Sequence, residues 1–199
     1  MKYCPECSSE LQHRVIDNVE RLVCISPQCE FIHWNNPIPV VAGLIQYGDK
    51  YVLARNAKWP SGMFSLITGF LEKDETPEQA ILRETKEEPG IAGERVEFIG
   101  HYSLPELNQL ILAFAVQGHG NLTPSDEIAE VQVLSRSELA SFEFGRLELT
   151  SKIVAHWLQL PNIAFERDAQ KAARPSTLRN AAHGVMSDVK GTVQASVRQ

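Results

Sequence analysis

Glutamates crowd the stretch GFLEKDETPEQAILRETKEEPGI, which runs from Gly69 to Ile91. Glu84, Glu87 and Glu88 are three and four positions apart, so a helix would place them side by side, where like charges cost stability. Either that side of the helix is solvated, or a cation binds there. A hydrophobic segment, MFSLITGFLE, leads into the helix, which favours a binding site over a solvated surface. Carboxylate oxygens are the ligands that Mg²⁺ prefers.

The helix that carries these glutamates has signals at both ends. Thr76 and Gln79 form a capping box, and proline is favoured at the first helical position, so the helix is expected to start at Pro77. Gly90 supplies a stop signal. Pro89 removes a donor from the last turn and disfavours helical backbone at the residue before it. We therefore expect a shifted final turn, which could weaken metal binding.

The spacing of the fixed residues matches the Nudix box, GX5EX7REUXEEXGU. Every fixed residue of that pattern is present, at Gly69, Glu75, Arg83, Glu84, Glu87, Glu88 and Gly90. The chain therefore resembles the Nudix hydrolases. Thr85 stands where an aliphatic residue is usual, and its β-branched shape makes the departure mild. The resemblance implies an α/β (α+β) fold, the Nudix α/β/α sandwich. In that family the box forms a loop–helix–loop that binds Mg²⁺ or Mn²⁺, and the enzyme hydrolyses a diphosphate linked to a nucleoside. The ions neutralise charge on the phosphoryl oxygens.

The same resemblance implies roles for individual residues of the metal site. Glu84 and Glu88 are expected to be direct metal ligands, and Glu87 a ligand or the base for the attacking water. Arg83 is expected to orient the glutamates, and it can also pair with Glu87 one turn later. The carbonyl of Thr68 is expected to reach a metal.

Other residues of the motif are expected to be structural. Gly69 lets the backbone turn tightly, Glu75 holds the loop against the helix, and Gly90 ends the helix. Outside the motif, Glu127 in SDEIAEVQV matches a glutamate that completes the metal site from a distant loop. Glu130 is the alternative, and a solvated surface position is another interpretation of Glu127.

The cysteines indicate a second metal site. All of them lie in the first thirty residues, as Cys4-x2-Cys7 and Cys24-x4-Cys29. Two such pairs close a tetrahedron, which is the ligand spacing of a structural Zn²⁺ ribbon. A disulfide pair is the alternative, and a cytosolic address disfavours it. His13 and His33 could replace a ligand, although four cysteines suffice.

A zinc ribbon directly before a Nudix domain resembles the zinc-ribbon NADH pyrophosphatases, which also remove NAD caps from RNA. The likeness covers residues 3–160. Those enzymes carry SQPWPFPxS after the box, whereas this chain has HYSLPELNQLILAF and keeps only Pro105. The replacement is more similar to a related zinc-ribbon group associated with ADP-ribose or FAD diphosphatase activity. The diphosphate chemistry is therefore expected, while the dinucleotide stays open.

Substrate contacts follow from the same comparison. The candidates are Trp34, Tyr102, Leu104, Glu106, Gln109 and Ser151. Trp34 aligns with an aromatic residue near the purine, and packing of the ribbon against the Nudix domain is its alternative role. Ser151 falls where a small residue approaches the ligand. The other four can equally be strand packing or surface.

Hydrophobic periodicity predicts the remaining elements. Two hairpins are expected, one turning at the DN of residues 17–18 and one at Gly48-Asp49. Strands are expected at RVEFIGHYS, QLILAFAVQ and EVQVL, followed by a helix with a Ser135-x-x-Glu138 capping box. We expect Thr150 to cap a last helix, SKIVAHWLQL, with Ile153, Val154 and Trp157 on one face.

Composition limits the domain organisation and the class of function. Residues 1–34 are expected to form the zinc ribbon, 35–160 the Nudix domain, and 161–199 a basic, disordered or loosely helical tail. The formal net charge of −6 argues against a generic nucleic-acid or anionic-membrane binder. No apolar run approaches the ~18 residues of a membrane span, and no signal peptide is evident, so a cytoplasmic location is expected.

The sequence thus predicts a metal-dependent hydrolase that splits NADH or NAD, FAD or ADP-ribose into AMP and a second phosphate. The resemblance also suggests a homodimer. One alternative is an enzyme that removes NAD caps from RNA. The other is a Nudix-fold ligand sensor without activity, against which the intact box argues.

Overall fold

Residues 1–159 are described in the computed structural model of the chain, and the predicted tail lies outside them. A small three-stranded sheet is followed by a six-stranded sheet and three α-helices. The strands are β1 (Leu11–Ile16), β2 (Val19–Cys24), β3 (Ile32–His33), β4 (Ile38–Tyr47), β5 (Lys50–Asn56), β6 (Ile67–Phe70), β7 (Ala92–Leu104), β8 (Gln109–His119) and β9 (Ile128–Ser135). The helices are α1 (Pro77–Glu87), α2 (Arg136–Ala140) and α3 (Glu148–Gln159), with a 3₁₀ turn at Pro105–Leu107.

The small sheet is built on the predicted N-terminal hairpin. Its strands run in the order β1-β2-β3, and both pairs are antiparallel. Asp17 and Asn18 join β1 to β2 with φ values of 50° and 62°, as a tight hairpin turn requires. This positive φ is tolerated by Asn and Asp, whose side chains suit left-handed backbone.

The large sheet has the order β7-β8-β4-β5-β9, with β6 paired to β4. The β4–β8 pair is parallel and the other pairs are antiparallel, so the sheet is mixed. The second predicted hairpin joins β4 to β5, and Gly48 turns there with a φ of 63°. Because β4 lies between three partners, it is buried along most of its length, which its Val-, Leu- and Ile-rich sequence allows.

Helices cover both faces of the large sheet. On one face, Ile81 of α1 packs into a cluster with Val41 and Ile45 of β4. On the other face, Ile153 of α3 and Leu139 of α2 pack into a second cluster with β4 side chains that point to the opposite side of the sheet. The predicted α/β/α sandwich is therefore confirmed. Among residues 1–159, no helix has the length and hydropathy that crossing a bilayer requires.

Helix α1 begins where its capping box predicts and ends differently from expectation. Thr76 accepts a hydrogen bond from the backbone of Gln79, and Pro77 opens the helix. Glu88 keeps helical angles of −81° and −68°, so the expected shift of the final turn is wrong. The reason is local. Pro89 has no amide hydrogen to donate to the Thr85 carbonyl, and the Ile91 amide donates to that carbonyl instead, at 3.1 Å.

The start of α3 also corrects the prediction. The helix begins at Glu148, and the Ser151 amide already donates to the Leu147 carbonyl at 3.1 Å. Thr150 therefore lies inside the first turn and does not cap the helix. Its buried hydroxyl shares a hydrogen bond with Ser65 at 2.8 Å, which ties α3 to the sheet. The predicted capping box of α2 at Ser135 and Glu138 is present.

Candidate active site and structural metal centre

Arg83 holds the carboxylates of α1 and its preceding loop in place. Its Nη2 and Nε donate to the two oxygens of Glu75 at 2.8 and 3.2 Å, and its Nη1 donates to Glu84 at 2.6 Å and Glu87 at 3.2 Å. Nη2 also donates to the carbonyl of Phe70 at 3.1 Å. These charge-assisted bonds raise the pKa of Arg83 and lower the pKa of Glu75. One guanidinium thus links the loop, β6 and the glutamate face of the helix.

Gly69 lets β6 approach α1 closely enough for this arrangement. A Cβ atom built at Gly69 would lie 1.9 Å from Oε1 of Glu84 and 2.4 Å from its Cγ. Any side chain there would therefore have to displace the Glu84 carboxylate. Gly90 serves a different purpose, because its φ of 77° turns the chain out of the helix.

The glutamates border a cavity of about 430 Å³, here called the acidic cavity. Its lining includes the five predicted ligand residues, namely Thr68, Glu84, Glu87, Glu88 and Glu127. Glu130, the alternative to Glu127, pairs instead with Arg55 at 3.3 Å and is not part of this lining. The structure therefore gathers the predicted residues from β6, α1 and the loop before β9.

Glu127 reaches the cavity because its loop is bonded to the end of α1. The Ser125 amide donates to the Glu88 carbonyl at 2.8 Å, and the Thr123 amide donates to the Pro89 carbonyl at 2.9 Å. Pro89 is thus part of the connection that brings the distant glutamate to the helix.

The electrostatics of the acidic cavity favour a bound cation. Burial and the nearby charges of Glu84, Glu127 and Glu87 raise the pKa of Glu88 to about 7. Burial likewise raises the pKa of Glu84, against the opposing effect of Arg83. Neighbouring carboxylates repel one another when all are ionised, and a hard divalent cation stabilises the ionised forms. This set of oxygen ligands therefore fits Mg²⁺ or Mn²⁺.

A second cavity of about 740 Å³, here called the large cavity, adjoins the first. Val40, Trp59, Leu66, Thr68 and Gln109 line both. Three of the predicted substrate contacts line the large cavity, namely Leu104, Glu106 and Gln109. Its other walls are mainly apolar, with Leu147, Leu149 and Ile153 on the α3 side. Polar side chains such as Arg146, Glu148 and Lys152 also line it, so the cavity suits an organic group with both apolar surface and polar substituents.

The structure does not bring the other predicted substrate contacts to either cavity. Trp34 lies under the guanidinium of Arg21, 4.7 Å from ring centre to charge, so it packs within the N-terminal module. Tyr102 shares a hydrogen bond with Nδ1 of His156 at 2.6 Å. Ser151 is exposed on α3, whose neighbouring residues 150 and 152 line the large cavity instead.

Some lining residues were not anticipated. Asn56, Trp59 and Phe70 border the acidic cavity, and Arg146 borders the large one. An aromatic residue in the Pro- and Gly-containing loop just before the box could have pointed to Trp59. Arg146 carried no such signal in the sequence.

The four cysteine Sγ atoms lie within 4.8 Å of one another. The Sγ separations are 3.6 Å for Cys4 and Cys29 and 3.4 Å for Cys7 and Cys24, far beyond a bonded pair at about 2.05 Å. Hydrogen bonds from Ser9 lower the pKa of Cys7 to about 6, which favours the thiolate that a metal binds. The donor set suits tetrahedral Zn²⁺.

Within residues 1–159, these cysteines are the one group of three or more His, Cys, Asp or Glu residues whose ligand atoms lie close enough together to hold a metal ion without rearrangement. The carboxylates of the acidic cavity are not gathered that closely. Neither His13 nor His33 belongs to the cysteine group, and His13 pairs with Glu20 at 3.6 Å.

Comparison with known proteins places this geometry in a family. The NUDIX domain family matches residues 37–158, and a zinc-ribbon family described as Nudix N-terminal matches residues 2–35. A NUDIX hydrolase from Nitrosomonas europaea superposes with a TM-score of 0.65 and 28% identity, over 81% of this chain and 92% of that one.

Curated relatives show the same likeness. The NAD-capped RNA hydrolase NudC of Pseudomonas aeruginosa is 31% identical over 140 residues, 69% of this chain and 49% of that protein. The protein of the same name from Vibrio vulnificus is 28% identical over 143 residues, 70% of this chain and 52% of its own length. The chain thus spans about half the length of these relatives. With an intact box on α1 and a cysteine-rich module before it, the chain belongs to the Nudix hydrolase family.

Proposed function

We propose that the protein is a Mg²⁺- or Mn²⁺-dependent hydrolase of nucleoside-diphosphate-X substrates of the NADH or NAD, FAD or ADP-ribose class. The products would be AMP and a second phosphate. The observation that carries this proposal is that two cavities adjoin, one bordered by four glutamates and one lined by apolar side chains together with several polar ones. The first suits a cation with a diphosphate, and the second suits the organic group attached to it.

The metal would be held by Glu84, Glu87, Glu88, Glu127 and the Thr68 carbonyl. Once bound, a divalent cation neutralises phosphoryl oxygens and lowers the pKa of a water. The chain itself supplies orientation, because Arg83 fixes Glu84 and Glu87 through hydrogen bonds. Glu87 is the more exposed of these two carboxylates, with 59% of its side chain accessible, so in its alternative role as the base it would be open to the attacking water.

The substrate would lie across the boundary of the two cavities. Thr68 and Gln109 border both, and they mark where the diphosphate passes into the organic group. Leu104 and Glu106 would contact that group from the end of β7 and the turn after it. In the N-terminal module, the four cysteines would hold a structural Zn²⁺.

Removal of NAD caps from RNA is the second candidate function. The observation that favours it is the likeness to relatives named NAD-capped RNA hydrolase. The chemistry at phosphorus would be the same, and the difference is whether a polynucleotide extends from the bound dinucleotide.

The test is product analysis with purified protein on NADH, NAD, FAD, ADP-ribose and NAD-capped RNA, each with Mg²⁺ and with Mn²⁺. We expect AMP from at least one dinucleotide, and cleavage of capped RNA above all others would favour the second function. Glu84→Gln and Glu87→Gln should lose the activity, and unchanged hydrolysis by both would refute the assigned metal site. Wild type that binds these compounds and cleaves none would instead indicate a ligand sensor.

A further inference from the structure

The boundary between the acidic and large cavities contains one aromatic side chain. Among the five residues that line both cavities, Val40 and Leu66 are buried wall, Thr68 and Gln109 are polar, and Trp59 is the aromatic one. Trp59 lies in the loop between β5 and β6 and is partly buried. An indole at that place would adjoin a group attached to a diphosphate in the acidic cavity.

The loop that carries Trp59 is held by defined hydrogen bonds. The Trp59 amide donates to the Asn56 carbonyl at 2.9 Å, and its own carbonyl accepts from Nη1 of Arg55 at 3.2 Å. Nε of Arg55 donates to Glu130 on β9 at 3.3 Å, and the Arg55 side chain is only 16% exposed. Arg55 therefore joins the tryptophan loop to the neighbouring strand.

The same loop is bonded to the residue that completes the acidic cavity. The Ala57 amide donates to the carbonyl of Glu127 at 2.8 Å. The backbone segments that carry Trp59 and Glu127 are thus joined by one set of hydrogen bonds, which connects the loop of the aromatic residue to that of a candidate metal ligand. Such prior ordering lowers the entropic cost of binding.

We propose that Trp59 is a substrate-binding residue that stacks on the nucleoside of the substrate, and that Arg55 is the positioning residue that sets its loop. This inference rests on the proposed function. A nucleobase offers a flat π face, and stacking on an indole is favourable for any base. The ribose separates the base from the phosphates by only a few bonds, so a base held at the boundary leaves the diphosphate beside the glutamates. The assignment predicts selectivity for substrates with a base next to the diphosphate.

The experiment compares Trp59→Ala and Trp59→Phe with wild type on ADP-ribose, measuring kcat and KM separately. Losing one base–aromatic stack should raise KM about 10-fold or more, with a much smaller change in kcat. Phenylalanine keeps a stacking face and should recover most of the loss. Trp157→Phe is the matched control, because Trp157 lines neither cavity, and its KM should equal that of wild type.

Binding is measured alongside activity by titrating AMP and ribose 5-phosphate against tryptophan fluorescence in a Trp34→Phe, Trp157→Phe background, which leaves Trp59 as the one tryptophan of the sequence. We expect AMP to quench the signal and ribose 5-phosphate, which lacks a base, to quench much less. Thermal melting shows whether Trp59→Ala remains folded, and Trp59→Phe serves as the readout if it does not.

Arg55→Lys tests the positioning role. Lysine keeps the charge opposite Glu130 but lacks the planar fork that serves the Trp59 carbonyl and Glu130 together. We expect a red-shifted Trp59 emission, measured in the Trp34→Phe, Trp157→Phe background, and a raised KM for ADP-ribose. A variant that loses thermal stability with unchanged emission and KM would show that Arg55 is merely structural, which overturns its part of the proposal.

Two failures are distinguishable. If wild type binds and cleaves ADP-ribose and Trp59→Ala does so with the same KM, the Trp59 assignment is overturned and the proposed function stands. If wild type neither binds nor cleaves any member of the panel, the proposed function falls and the assignment falls with it.

Discussion

Gly69 and Glu84 are in such close contact that a single methyl group at Gly69 would overlap the Glu84 carboxylate, 1.9 Å from Oε1. Gly69→Ala should therefore move a candidate metal ligand without changing its chemical identity. Because misplacing a catalytic group by about 1 Å can cost 10²-fold, we expect a fall in kcat/KM of about that size. Steady-state kinetics at saturating Mg²⁺ measure it.

Gly43→Ala is the control for that variant. A Cβ atom there would lie 2.7 Å from the Cδ1 atom of Ile81, so the clash is in the core and outside the acidic cavity. It should lower the melting temperature while leaving the kcat of the folded protein near the wild-type value. Equal kcat in wild type and Gly69→Ala would show that the Glu84 position is not critical.

The raised pKa of Glu88 predicts a pH-dependent stability in the absence of metal. Its pKa is about 7 in the folded protein and about 4.3 in an unfolded chain, so between those values the folded state binds more protons. This group therefore stabilises the fold at low pH, and its contribution is lost as pH rises through about 7. Glu88→Gln should flatten that decline in EDTA, measured as melting temperature between about pH 5 and pH 8.

Added Mg²⁺ should reverse the same effect in wild type, because the cation stabilises the ionised carboxylate that the protein in EDTA disfavours. The gain in melting temperature should increase with pH and be much smaller in Glu88→Gln. Glu143→Gln, on an exposed loop away from the acidic cavity, should behave as wild type. Identical Mg²⁺ responses in all three proteins would argue against Glu88 as a ligand.

Arg83→Lys should damage both stability and catalysis. A lysine cannot serve Glu75, Glu84, Glu87 and the Phe70 carbonyl at once, because it lacks the planar guanidinium. Loss of one charge-assisted hydrogen bond, about 2 kcal/mol, should lower the melting temperature by roughly 5 °C. We expect kcat to fall more than KM rises, since the glutamates lose their orientation.

Lys86→Ala is the matched control for Arg83→Lys, because Lys86 is exposed on the same helix. This variant should change neither the melting temperature nor kcat appreciably. A similar loss in both variants would mean that helix charge in general, and not the Arg83 contacts, determines the effect.

Local signals in the sequence predicted much of this architecture, and hydrogen bonds that no sequence pattern indicates account for what they missed. The start of α1 could be predicted because its capping box involves only neighbouring residues. The helical backbone at Glu88 could not, since it depends on the Ile91 amide replacing the missing donor of Pro89. Trp59 likewise reaches the site through Arg55 and a strand much later in the chain.

The same distinction applies to α3 and the substrate contacts. Periodicity predicted a helix with Ile153 and Val154 buried, and both are. The hydrogen bond between Thr150 and Ser65 joins two elements far apart in sequence, and it takes Thr150 away from the capping role that local sequence suggests. A residue type and its spacing can thus indicate chemistry, while the partner that fixes it is visible only in the fold.

Zinc removal gives the last prediction. Purified protein should contain one Zn²⁺ per chain, because the four thiols already lie within 4.8 Å of one another and a tetrahedral Zn²⁺ site needs sulfurs of that spacing. Cys24→Ser should abolish zinc retention and destabilise the small sheet, since so small a module depends on its metal to fold. His13→Gln and His33→Gln should retain the full zinc content. Metal analysis and hydrogen exchange of residues 1–34 measure both effects, and stoichiometric zinc in Cys24→Ser would refute the four-cysteine site.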